Sequence, residues 1–221
     1  MATSGKTSNR SLNYKIALTG ILGALSVVLS VTPIGYIQIG PLAITIMHIP
    51  AILAAVMAGL VPGIGVGLIF GITSLVRASI TGSSPFFVNP LVSVLPRMLF
   101  PVFVYFIDLA LRKIRLPKVI AGGISAALGT FIHTVLVMGM IFLIYIDSYL
   151  PLVAEKLVSM GCNLESVSGF GLFAAIIGLV ELTNGLWEIL GAAVITVAVL
   201  ASSCLVKNRK SKLSKIEEPA E

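Results

Sequence analysis

Long apolar runs alternate with short polar punctuation along most of the chain. At the helical rise, about 20 apolar residues make one membrane crossing. By that rule the first helix runs from Tyr14 to Val31 and ends at Thr32-Pro-Ile-Gly35. A loop to Gly40 follows. The second helix runs from Pro41 to Leu60 and the third from Val61 to Ile80, across the short junction Ala58-Gly-Leu-Val-Pro-Gly63. Thr81 to Phe87 is a loop, and the fourth helix covers Asn89 to Leu111. The basic turn Arg112 to Lys118 leads into the fifth helix, Val119 to Ile146. Asp147 to Gly171 is a polar connection with Pro151, Glu155, Lys156, Asn163 and Glu165, in which a short amphipathic helix is expected on the membrane. The sixth helix, Leu172 to Val206, is too long for a straight span. It must tilt, extend beyond the bilayer or be interrupted near Thr183-Asn-Gly185. The expected fold is an all-α membrane protein, a compact bundle of six transmembrane helices. It has a disordered tail over 1–12, the bundle over 13–206 and a charged tail over 207–221.

Composition agrees: 57% of residues are hydrophobic and 11% charged, against about 45–50% and 25% in soluble domains. The net charge of +6 is concentrated. Of fifteen Lys and Arg, three lie in the N-terminal tail, four between Arg112 and Lys118, and five between Lys207 and Lys215. Six spans bring these twelve to one face, leaving Lys156 and Arg77 toward the other. The positive-inside rule makes the basic face, with both termini, cytoplasmic. Charge so placed marks topology and not nucleic-acid binding. No small-residue cleavage site follows the first apolar run, so no cleavable signal peptide is expected. Cys162 and Cys204 fall on opposite faces, and no Cys/His spacing marks a metal or redox site. Phosphate-loop, HExxH and paired-Asp motifs are absent from the sequence, so no enzyme, metal or cofactor is expected.

Small residues are dense. Ala17, Gly20, Gly23 and Ala24 lie on the first helix, and Gly63, Gly67 and Gly71 recur at fourfold spacing on the third. Such residues let helices approach closely in lipid. Internal packing is the expected use on the third helix, and internal packing or a partner on the first.

Polar groups fall inside the spans. His48 and Arg97 lie roughly 10 Å from their presumed outer helix ends. Thr130 and His133 lie further along the fifth helix, below Asn89 at the outer mouth. Glu181 and Asn184 are roughly 14–18 Å into the sixth helix, with Trp187 and Glu188 a turn deeper. An arginine inside an apolar run costs roughly 2.5–3.5 kcal/mol on insertion scales, and intramembrane ionisable groups usually mark function. An apolar cavity with a few convergent polar groups is the form of a small-molecule site. Plainer roles exist for each. Arg97 can pair with Glu181 or Glu188, His48 can bond a carbonyl freed near Pro50, and His133 and Trp187 can be core. Asp108 can pair with Arg112, and Arg77 can snorkel.

Several stretches, in order, carry a resemblance: Ala17-Leu-Thr-Gly-Ile-Leu-Gly-Ala24, Thr45-Ile-Met-His-Ile-Pro50, Phe70-Gly-Ile-Thr-Ser-Leu75, Asn89-Pro-Leu-Val-Ser-Val-Leu-Pro-Arg97 and Asn184-Gly-Leu-Trp-Glu188. Over about residues 14–206 the chain resembles the substrate-binding S components of energy-coupling factor (ECF) transporters. The resemblance implies a prokaryotic plasma-membrane protein that binds a water-soluble vitamin or micronutrient from outside. It implies delivery inward with a membrane T component and two ATPase subunits as partners, the ATP being used by those subunits. It places partner contact at Ala17, Gly20 and Ala24, although Ile21 departs from a strict alanine pair. It places ligand binding on Arg97, Thr130, His133, Glu181 and Asn184, to which the depth count adds His48, Asn89, Trp187 and Glu188. Arg97, His48 and His133 suit a carboxylate or phosphate, as in pantothenate. Trp187, Phe86 and Phe87 suit an aromatic vitamin of pyridoxine, folate or flavin type. The preference falls on pantothenate or another small polar vitamin. Two other functions are weighed: an autonomous proton-coupled transporter using Glu181 and Glu188, and a membrane enzyme using His48, His133 and Glu188, for which no spacing speaks.

Overall fold

The computed structural model describes residues 4–32, 35–39, 42–82, 85–159 and 169–217. Among the described residues, the regular structure is helical apart from one two-stranded hairpin. Helix α1 spans Ser4–Val31, and the hairpin β1 (Tyr36–Ile39) and β2 (Leu42–Thr45) follows it. Then come α2 (Ile49–Ala58), α3 (Leu60–Thr81), a 3-10 turn at Pro85–Val88, α4 (Pro90–Ser93) and α5 (Leu95–Lys113). Helix α6 (Lys118–Ser159), α7 (Gly169–Val180), a π-helical turn (Glu181–Gly185) and α8 (Leu186–Glu217) complete the chain. Among the described residues, five helical segments are long and apolar enough to cross a membrane: Leu12–Val31, Leu60–Thr81, Pro90–Lys113, Lys118–Tyr145 and Leu186–Val206.

The expected second span is corrected. Residues 42–45 form a strand paired antiparallel with 36–39, Tyr36 opposite Thr45 and Ile39 opposite Leu42. Only Ile49–Ala58 is helical, about 15 Å of rise or half the apolar thickness of a bilayer. Pro50 supplies the reason. It has no N–H, and inside a helix its ring collides with the carbonyl four residues back. The helix therefore starts around it, with proline in the first turn. The β-branched Ile37, Ile39 and Ile44 suit the strands.

This short helix is the centre of the molecule. Nine of its ten residues are buried, and it touches α1, α3, α5, α6 and α8. Val66, Phe70, Phe100, Val104 and Leu200 share one buried cluster with its Ile52. The outward faces stay apolar, with Ile21, Val28, Val61, Leu143 and Leu205 exposed, as lipid contact requires. Small residues set the spacing. On α3, a β-carbon at Gly63 would lie 2.9 Å from the Ala55 β-carbon, and one at Gly71 would lie 2.8 Å from the Val94 α-carbon. The fourfold glycine series is thus internal packing.

Two other boundaries differ from expectation. Helix α6 continues to Ser159, bent at Tyr145 (φ −122°, ψ 29°), where a polar connection from Asp147 was expected. Cys162, Asn163 and Glu165 lie outside the described residues. The long sixth helix is interrupted where its length demanded it, by the π-helical turn that contains Thr183-Asn-Gly185.

Candidate functional site

One wall is Asn89–Arg97. Asn89 caps α4, its Oδ1 accepting from the Leu91 N–H at 3.0 Å, and its Nδ2 donates to the Tyr145 hydroxyl at 3.3 Å. Pro90 sits in the first turn, where its missing N–H is harmless. Pro96 is the informative residue. It has no N–H for the Val92 carbonyl four residues back, and the chain breaks into α4 and α5 there. Arg97 Nη1 donates to that carbonyl at 2.6 Å instead. The guanidinium lies 4.8 Å from the Phe87 ring centre and 5.6 Å from that of Phe70. Aromatic faces favour a cation held this way. Arg97 is 5% exposed, so it is buried among rings and a carbonyl rather than snorkelled.

Next to it stands a histidine pair. The rings of His48 and His133 stack at 5.6 Å with 17° between their planes. His133 also meets Phe100 edge-on at 4.9 Å and Phe70 at 5.9 Å. His48 Nε2 is 3.1 Å from the Thr130 hydroxyl. That hydroxyl already donates to the Ala126 carbonyl at 2.9 Å. A hydroxyl has one proton to give, so while Thr130 donates to Ala126, His48 Nε2 is the donor of this pair. Among the described residues, His48 Nδ1 and His133 Nε2 are buried without a hydrogen bond. The carbonyl partner weighed for His48 is thus replaced by Thr130.

The third part comes from the π-helical turn and the start of α8. Glu181 is buried, with the Thr134 hydroxyl beside its carboxylate as the near donor; that hydroxyl also reaches the Thr130 carbonyl at 3.4 Å. Among the described residues, Asn184 Oδ1 is buried without a hydrogen bond. Glu188 is engaged elsewhere. Its Oε1 accepts from the Thr45 N–H at 2.7 Å and the Thr45 hydroxyl at 2.8 Å, tying strand β2 to α8. Among the described residues, then, neither glutamate braces Arg97.

The interior therefore gathers His48, Arg97, Thr130, His133, Glu181 and Asn184, with Asn89 at its edge and Glu188 holding the hairpin. Trp187 is not brought in, being 57% exposed on the outer face of α8. The sequence view missed Phe70 and Phe100 as ring partners, Thr134 beside Glu181, and Thr45 as the hairpin anchor. Thr134 follows Thr130 by one turn, and Thr45 and Phe70 each open a stretch already singled out, so these three had a signal. Phe100 had none. Arg77 does not simply snorkel: its Nη1 donates to the Ser30 carbonyl at 2.9 Å. Asp108 pairs with Arg112, as its spacing predicts.

On α1 the small residues divide. Ala17, Gly20 and Ala24 are exposed, and a β-carbon at Gly20 would meet nothing within 4 Å. Gly23 turns inward, onto Ile69 of α3. A surface groove of about 830 Å³ runs between the ends of α1 and α3, lined by Ser30, Thr73, Val76 and Arg77. It is separate from the polar interior.

Comparison with known proteins accords with this arrangement. The family model for the substrate-specific component of ECF transporters matches residues 14–200. The chain is also 25% identical over 211 residues to the pantothenic acid transporter PanT of Lactococcus lactis subsp. cremoris (strain MG1363), covering 87% of this chain and 95% of that protein. The family is one of transporter components and not of enzymes. With apolar spans and a match over most of its length, the chain belongs to the substrate-specific components of ECF transporters, as a multi-pass protein of the prokaryotic plasma membrane.

Proposed function

We propose that the chain captures a small anionic vitamin, pantothenate by preference, and delivers it inward in association with a T component and two ATPase subunits. The observation that carries the substrate class is the buried Arg97 guanidinium beside the His48–His133 pair. A fixed cation with bidentate donors, ringed by phenylalanines, suits a carboxylate or phosphate. The likeness to a pantothenic acid transporter supports the choice among anions. ATP hydrolysis by the partner subunits supplies the energy, and the chain itself needs no cofactor. With both termini on the basic, cytoplasmic face, Asn89 lies at the outer mouth. Mass spectrometry of the small molecule released by denaturing the purified protein tests this directly. Pantothenate or another small anionic vitamin is the expected product. A protein that retains no vitamin and never co-purifies with the other subunits speaks against the proposal.

The open strip Ala17, Gly20 and Ala24 serves as the contact for the T component. Gly20→Leu is expected to leave ligand affinity in detergent unchanged and to stop uptake by cells that supply the other subunits. Loss of binding in that variant would mean that the strip packs internally. A second reading, an autonomous proton-coupled transporter, is favoured by the lone carboxylate of Glu181. Uptake by this chain alone, abolished by an uncoupler and indifferent to ATP depletion, would establish it.

A further inference from the structure

Where α1 and α3 end side by side, the groove of about 830 Å³ between them is polar at its mouth and apolar on its floor. Arg77 stands one turn, about 6 Å, below Thr81 at the end of α3. Its Nη1 donates to the Ser30 carbonyl at 2.9 Å, one of the last-turn carbonyls for which a helix end provides no helical donor. The Ser30 and Thr73 hydroxyls meet at 3.1 Å. The floor is Val27, Ile72 and Val76, which are 36%, 46% and 49% exposed on the lipid-facing surface.

The hydrogen bonds of the groove decide what it can hold. A hydroxyl has one proton to give. Ser30 donates to the Ser26 carbonyl at 2.9 Å, Thr32 to that of Val28 at 2.7 Å and Thr81 to that of Arg77 at 2.8 Å. The Thr73 hydroxyl reaches the Ile69 and Phe70 carbonyls at 3.0 and 2.9 Å. The hydroxyls thus turn their protons to their own helices, and the strong donor of the mouth is the Arg77 guanidinium. That group carries five N–H donors in a planar fork that matches carboxylate and phosphate. A group bound at the mouth must therefore accept, and an anion accepts best. The floor adds a second demand. It offers a soluble ion no partner, whereas a hydrocarbon chain packs against it. At this depth below a helix end, phosphate is what lipid headgroups supply, and basic pockets between helices bind them.

We propose that this groove binds one anionic phospholipid, its phosphate on Arg77 and the upper part of an acyl chain along Val27, Ile72 and Val76. The occupant presents an anion and an apolar tail in the order in which the groove presents a cation and an apolar floor. In the topology given above, the lipid belongs to the outer leaflet. It joins α1 and α3 at the end where Arg77 already bridges them. The groove lies apart from the interior of Arg97 and the histidines, so this proposal and the substrate reading can each fail alone.

The test uses the purified full chain in neutral detergent with a phosphatidylglycerol that carries a photoactivatable diazirine in one acyl chain. Labelled peptides are mapped by mass spectrometry. Labelling is expected within residues 27–32 and 72–81. Unlabelled phosphatidylglycerol should displace the probe, and phosphatidylcholine or glycerol 3-phosphate should do so about tenfold or more weakly. Arg77→Gln should cut the labelling about tenfold, the usual effect of losing a charged hydrogen bond. Arg77→Lys, which keeps the charge without the fork, should restore part of it. Val76→Trp fills the floor, leaves Arg77 in the sequence and should abolish the labelling. If Arg77→Gln does not fold, Val76→Trp decides. Labelling spread evenly over the lipid-facing sides of α5 and α8 overturns the proposal, since the probe then reports only solvating lipid. So does equal displacement by phosphatidylcholine, which removes the preference for an anion, or by glycerol 3-phosphate, which removes the need for a chain. Unchanged labelling in either Arg77→Gln or Val76→Trp overturns it too. A groove that the lipid does not label, or one where p-benzoylphenylalanine at position 76 cross-links in membranes to another subunit or a second copy, belongs to a different occupant, and the proposal falls.

Discussion

Arg97→Ala is expected to weaken ligand binding by about 1.5–3 kcal/mol, roughly ten- to hundredfold in Kd. The figure is that of a hydrogen bond to a charged group, and it follows from where the guanidinium is fixed. Arg97 Nη1 is occupied by the Val92 carbonyl, which Pro96 leaves without its helical donor. Phe87 and Phe70 hold the plane of the group from the side. Such a cation is set in place before the ligand arrives, so little rotamer entropy is lost on binding. The alanine variant also leaves the Val92 carbonyl without its donor, and some loss of thermal stability accompanies the loss of affinity. Arg97→Lys separates the two effects. Lysine keeps the charge but lacks the planar fork, so it should recover part of the affinity for an anion and little for the neutral amide of the same vitamin. Calorimetry on folded, monodisperse protein gives the answer. Unchanged affinity in Arg97→Ala would assign the residue to structure alone.

Much of this fold is legible in the residues because membrane spans obey a simple length rule. The α1, α3, α5 and α6 spans begin or end within a few residues of the proline, glycine and basic signals that mark them. The interruption of the last long helix was legible too, since no straight helix of that length fits one bilayer. The hairpin was not. Residues 36–45 are as apolar as a span, and hydropathy alone does not separate two short strands from the start of a helix. Pro50 held part of the missing information, because proline is best placed in the first turn of a helix and so favours a start near residue 49. In the site, types and depths were readable but partners were not. Arg97 and the two glutamates invited an ionic pairing, the usual solution for charges in lipid. The chain instead satisfies Arg97 with a backbone carbonyl and Glu188 with Thr45, both of which depend on backbone irregularities. A break at Pro96 and a strand at Thr45 create donors and acceptors that no periodicity reveals.

Gly67→Ala is expected to lower stability by about 1–3 kcal/mol, as overpacking of a well-packed core does, and to weaken the ligand with it. Pro101 sits inside α5 and offers no N–H to the Arg97 carbonyl four residues back. That oxygen faces α3, where Gly67 presents a bare α-carbon to it. A β-carbon at 67 would fall on the Arg97 carbonyl oxygen and lie 3.2 Å from the Pro101 ring. Neither can swing away like the tip of a flexible side chain, for one is backbone and the other a closed ring in a helix. The helices must separate or α5 must shift, and Arg97 shifts with it. One methyl group therefore reaches the cation that the ligand is proposed to meet. Gly20→Ala is the matched control, with open space where its β-carbon would lie. Thermal unfolding of both variants in the same detergent, followed by titration with pantothenate, should show the Gly67 variant losing melting temperature and affinity together and the Gly20 variant losing neither. Equal behaviour of the two would mean that α3 and α5 pack loosely enough to absorb a methyl, and that the glycine series sets no distance at the Arg97 wall.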